Sequence, residues 1–169
     1  MLVPAVALPD LILAVHILGA VIGFGVVFVF PVLFGAATRT DPSVIPWLLR
    51  VRCSIGRYLV NPGLTVVVLA GIYLATDEHQ WSKFYVGWGV VAALVIGAIE
   101  GSYIIKRARA LADLAERDLA STAVPAGGQR TSATWSSEYR SARRRFSAAG
   151  NLMALIVIVT VFLMATHAG

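Results

Sequence analysis

Two ionisable side chains interrupt apolar runs. His16 stands within Ala14-Val15-His16-Ile17-Leu18-Gly19-Ala20-Val21-Ile22-Gly23, and Glu100 within Ile96-Gly97-Ala98-Ile99-Glu100-Gly101-Ser102-Tyr103. Imidazole is the commonest side-chain ligand for transition metals and titrates near neutral pH. Haem iron can be held by one or two histidines between helices. His16 is therefore a candidate haem or metal ligand, or a proton carrier; the alternative is an interhelical hydrogen bond. The other two histidines, His79 and His167, are weaker metal candidates, each with a solvated or interfacial alternative.

A carboxylate inside a bilayer is costly and marks a functional-site hypothesis that must name its partner. For Glu100 the expected polar network is Arg57, Asn61, Tyr103 and Asn151, with a Glu100 to Arg57 pair acting as a clamp. Alternatively, His16 and Glu100 are two stations of a proton path with Thr65 and Thr160 between them. Ser-His-Asp, P-loop, zinc-protease and dinucleotide fingerprints are missing, and Gly23-Phe24-Gly25 lacks the strand that such a fingerprint requires. The catalytic residues, if any, stay unknown at this point.

The elements that hold these residues follow from composition. The chain is 58% hydrophobic and only 14% charged, with mean hydropathy +0.79. A soluble domain has about 45–50% apolar and about 25% charged residues. Four runs reach the roughly 20 apolar residues that a membrane crossing needs: 8–37, 58–76, 84–105 and 148–166. The alternating short segments of a spanning barrel are not seen. We read residues 1–169 as a single all-α transmembrane domain, a four-helix bundle.

Of the 14 basic residues, all but Lys83 fall in the connections after the first and third helices. The positive-inside rule makes those connections cytoplasmic and puts both termini outside. No Lys or Arg precedes Arg39, so the first run is expected to be retained rather than cleaved as a signal peptide. With this topology all three histidines gather on the outer side, His16 roughly 9 Å below the outer end of its helix. The basic charge is accounted for by topology, which argues against nucleic acid as a partner. Cys53 is the single cysteine, so it forms no internal disulfide.

Residues 106–147 are expected to form a cytoplasmic helical hairpin. Leu111, Leu114 and Leu119 recur at helical spacing, Val124-Pro125-Ala126-Gly127-Gly128 breaks the helix, and Trp135, Tyr139, Ala142 and Phe146 make an aromatic-rich stripe. Within the bundle, Gly19 and Gly23 form a GxxxG step on the His16 face, and Ala93, Gly97 and Gly101 repeat every four residues beside Glu100. Such ridges let helix backbones approach, within one chain or between subunits.

The stretch Leu11 to Phe34, with histidine followed by Leu-Gly-Ala and then a Gly-rich turn, resembles an uncharacterised family of bacterial four-helix integral membrane proteins. More loosely it is similar to the group containing CopD-type copper-resistance proteins and HemJ-type protoporphyrinogen oxidases. The resemblance implies a functional first-helix histidine, here His16, with haem b a possible cofactor; Glu100 stands where a HemJ-type lysine motif is expected.

Three functions remain open. The first is a small inner-membrane protein of a high-GC bacterium, non-enzymatic, serving as an accessory or assembly subunit with other membrane proteins or itself as partners in the lipid bilayer. The second is a haem- or metal-binding redox protein using His16. The third is a proton-coupled carrier or channel using Glu100.

Overall fold

The computed structural model describes residues 7–121 and 134–167. They are all helical apart from short turns: α1 (Leu8–Thr40), α2 (Ile45–Ile55), α3 (Asn61–Asp77), α4 (Phe84–Ala98), α5 (Ile105–Ser121) and α6 (Ser137–His167). Two π-helical segments, Gly56–Val60 and Ile99–Ile104, join α2 to α3 and α4 to α5 without interrupting the rod. Four continuous rods result, Leu8–Thr40, Pro42–Asp77, Phe84–Ser121 and Ser137–Thr166, each long and apolar enough to cross a membrane. They are consistent with a multi-pass membrane protein.

Local chemistry sets several of the boundaries. Pro9 occupies the first turn of α1, where its missing N–H costs nothing. Asp10 lies inside that first turn, and Ala7 stands at the N-cap. Asp41 caps the 3₁₀ turn Pro42–Val44, its carboxylate accepting the Ser43 N–H at 2.9 Å. Pro46 then stands in the first turn of α2. α3 ends in a Schellman motif: the Gln80 N–H reaches the Ala75 carbonyl at 2.9 Å and the His79 N–H reaches that of Thr76 at 3.3 Å.

In the bundle α1 packs against α3 and α6, and α4 against α3 and α6. The α1 and α3 seam is the tightest. A Cβ built on Gly63 would lie 3.0 Å from the Gly23 Cα, so backbone meets backbone there. One on Gly19 would lie 3.0 Å from the Val67 side chain. The GxxxG step of α1 is thus used inside the chain. Gly97 likewise faces Leu64, whereas Gly101 has nothing within 4 Å of where its Cβ would be.

At the arginine-rich end the rods outrun the bundle. The hairpin expected over 106–147 is helical where described, but it does not close on itself alone. α5 lies along α2 as well as α6, with Ala108, Ala112, Ala115 and Leu49 all at 0–1% exposure in that layer. Alanines at i, i+4 and i+7 make a flat ridge that lets another helix settle closely. The aromatic stripe does close the hairpin: Tyr139 is fully buried and its ring stacks on Trp135 at 4.2 Å. The Asp118 carboxylate accepts the Ser136 N–H at 2.9 Å, and the Ser136 hydroxyl accepts the Tyr139 N–H at 3.1 Å, capping α6.

Candidate functional site

The most deeply buried charges lie at the junction of bundle and end layer. Glu100 is the second residue of the π segment of the third rod and is fully buried, and it receives two N–H bonds from Arg52, at 2.6 and 2.7 Å. Arg52 is itself 4% exposed and lies in the last turn of α2, four residues before the other π segment begins at Gly56. Gly56 faces this pair. A Cβ there would collide with the Glu100 carboxylate and lie 3.1 Å from an Arg52 terminal nitrogen. The bare glycine is what lets the carboxylate lie against the second rod. π-Helical turns are rare and recur at functional sites; here one lies beside each member of the pair.

The clamp expected between Glu100 and Arg57 is therefore made by Arg52 instead, and Arg57 is exposed. Five residues along an α-helix turn a side chain by about 140°, so one rod cannot offer both arginines to the same neighbour. The rest of the expected network also goes elsewhere. Tyr103 lies beneath the Arg107 guanidinium, 5.5 Å from ring centroid. The Asn61 carbonyl accepts the Thr65 hydroxyl at 3.0 Å, and Asn151 lines a cavity between α1 and α6. That cavity, about 200 Å³, is walled by Phe30, Phe34, Phe146 and Met153, with Arg52 and Arg143 among its polar lining.

His16 is half-buried against α3. Its Nδ1 lies 2.9 Å from the Val67 carbonyl oxygen, which can only accept, so Nδ1 carries the proton and Nε2 is left unprotonated in the neutral ring. Gly71 makes room for the ring: a Cβ there would lie 3.1 Å from His16 Cε1. The expected interhelical hydrogen bond is present, to backbone. His79 is exposed, at φ 54°, as the residue that follows the α3 cap. It lies roughly 12 Å of helix rise beyond Gly71. His167 is the last residue of α6, with its side chain outside the described part. Among the described residues no three His, Cys, Asp or Glu side chains are grouped as a metal site.

The remaining polar groups are used locally. Thr65 is exposed on α3. Thr160 gives its proton to the Ile156 carbonyl at 2.7 Å and accepts the Trp88 indole N–H at 3.0 Å, tying α6 to α4. The Cys53 thiol is buried and donates to the Ile105 carbonyl at 3.4 Å. The sequence signal for Arg52 is its place between the apolar Val51 and Cys53. Placing the start of the second helix at residue 58 hid it.

Comparison of the chain with family models, curated proteins and solved structures gives no match.

Proposed function

We propose that the chain is a non-enzymatic accessory or assembly subunit of the bacterial inner membrane, with the arginine-rich end in the cytoplasm and both termini outside. The observation that carries this reading is the outward face of α4. Gly87, Val91, Leu94 and Ala98 are all exposed, at intervals of 4, 3 and 4, and Gly101 continues the row three residues on. That is the spacing of a helix-packing seam, with small residues at both ends that admit a second backbone. Nothing lies within 4 Å of a Cβ at Gly87 or Gly101. Meanwhile His16 and Glu100 each have a partner within the chain, in keeping with a rigid body that presents surface.

The test is purification of the tagged protein in mild detergent, wild type beside Gly87→Leu and Gly101→Leu. A stoichiometric membrane partner, or a second copy, that both variants lose at unchanged thermal stability supports the reading. A wild-type protein that is monomeric in lipid nanodiscs and brings no partner sinks it.

His16 favours a second reading, a haem- or metal-binding redox protein. Its Nδ1 proton is fixed on the Val67 carbonyl. Histidines that bind metal through Nε2 are held in the same way, because the second hydrogen bond sets both tautomer and ring orientation. His16 would hold the group through Nε2, and the group would supply electron transfer. The resemblance of the first helix to haem-associated proteins points in the same direction. An absorption spectrum and metal analysis of wild type and His16→Ala decide it. A Soret band or stoichiometric metal lost in the variant makes His16 a ligand, and a colourless, metal-free wild-type protein removes the reading.

A further inference from the structure

We infer that the cavity between α1 and α6 is a binding site for an anionic phospholipid, with the phosphate at Arg143 and an acyl chain against Phe30, Phe34 and Met153. The cavity holds about 200 Å³ and combines two chemistries. One wall is mostly apolar, from Val27 and Phe30 on α1 and Met153 on α6, with the Arg52 guanidinium 5.8 Å from the Phe30 ring centroid. Arg143 stands at the arginine-side end, with Ser147 about 6 Å and Asn151 about 12 Å farther along α6.

The two arginines in the lining differ in charge balance. Arg52 is neutralised by Glu100 in a bidentate pair. Arg143 has no carboxylate partner among the described residues; its guanidinium lies 5.1 Å above the Phe34 ring. A cation over an aromatic face keeps its in-plane N–H donors available to an anion. The cavity thus offers one unneutralised positive charge at its arginine-side end. Arg39, which donates to the carbonyl of the lining residue Gly35 at 3.1 Å, adds positive charge beside it.

The shape follows from small residues. Gly35 and Gly150 line the gap, and no atom lies within 4 Å of where a Gly150 Cβ would be. Residues 27–35 of α1 span roughly 12 Å along the rod, from the arginine level towards the centre of the bundle. A ligand filling this gap needs one anionic head and an apolar tail lying parallel to the helices. A phospholipid of the arginine-side leaflet has both, and it is already oriented that way. Juxtamembrane arginines favour such headgroups. The site is independent of the outward face of α4, so it stands whether or not the chain has a protein partner.

Native mass spectrometry of the protein from mild detergent, after exchange into mixed phosphatidylglycerol and phosphatidylcholine nanodiscs, tests the assignment. Wild type should retain phosphatidylglycerol in preference to phosphatidylcholine. Arg143→Met should retain about fivefold less, and Arg145→Met, which removes the same charge outside the cavity, should match wild type. Gly150→Leu should also lose the lipid, because its side chain enters the open space without meeting a neighbour. Equal retention of the two lipids by wild type overturns the inference, as does retention unchanged in both Arg143→Met and Gly150→Leu. Equal losses in Arg143→Met and Arg145→Met overturn it too, by reducing the effect to general surface charge.

Discussion

Arg52 and Glu100, 48 positions apart in the chain, form a bidentate ion pair at 2.6 and 2.7 Å with side-chain exposures of 5% and 0%. Desolvating two charges consumes most of what their attraction returns, so such a pair fixes an arrangement more than it adds stability. What it fixes is register, between the second and third rods at the level where both turn π-helical.

Removing one member strands the other. Arg52→Met should cost about 3–5 kcal/mol, because an unpaired carboxylate stays buried. The double variant Arg52→Met with Glu100→Leu should recover most of that loss. Gly56→Ala should behave like the single variant, since its methyl group occupies the carboxylate's place. Thermal unfolding in detergent of all four proteins measures this. A double variant no more stable than Arg52→Met would show the pair to be something other than a mutual dependence.

The seam between α1 and α3 predicts an asymmetry between two glycines in contact. A Cβ on Gly63 would lie 3.0 Å from the Gly23 Cα, whereas one on Gly23 meets nothing closer than 3.5 Å. Gly63→Ala should therefore push the rods apart and destabilise by about 1–3 kcal/mol. Gly23→Ala should be neutral or stabilising, by up to about 1 kcal/mol, through helix propensity. The same unfolding measurement ranks them, and equal effects would contradict the packing.

His79 holds the left-handed position after α3, with φ 54°. Glycine carries no Cβ penalty there. His79→Gly should raise stability by up to about 1 kcal/mol. If the same substitution abolished a bound metal or a Soret band, the imidazole would be a ligand and not merely a tolerated cap.

Asp41 gives a pH prediction at the end of α1. Hydrogen bonds from the Ser43 hydroxyl, at 2.6 Å, and then from the Ser43 N–H hold its carboxyl below the ordinary 3.8. A group whose pKa is lowered on folding adds stability above its unfolded value and loses it as pH falls through the folded one. The cap should therefore persist at neutral pH and fail only below about pH 4. Carbon NMR titration of the Asp41 carboxyl should give a midpoint under 3.8, and Ser43→Ala should move it upwards. A midpoint insensitive to Ser43→Ala would remove the hydroxyl as the cause.

Much of the architecture was legible in the chain. The number of rods follows from hydropathy, a property of consecutive residues, whereas the second, third and fourth rods extend beyond the apolar runs at their arginine-rich ends. The helical spacing of Leu111, Leu114 and Leu119 gave the extension beyond the bundle. His16 and Glu100 stood out because charge in an apolar run is visible without any fold. The GxxxG face of α1 was visible too; its partner, the lone Gly63 after Pro62, was not, since it belongs to no repeat.

What tertiary structure decided is which faces meet. Glu100 had several polar candidates at similar depth, and the choice of Arg52 over Arg57 depended on where the second rod begins, on the rotation it undergoes along its length, and on the absent side chain of Gly56. None of these is encoded in a window of neighbouring residues. Hydropathy and periodicity determine that a segment is a helix and which side is apolar, whereas the pairing of polar groups depends on the angle and height at which two helices pack, and those are set jointly by every residue in the interface.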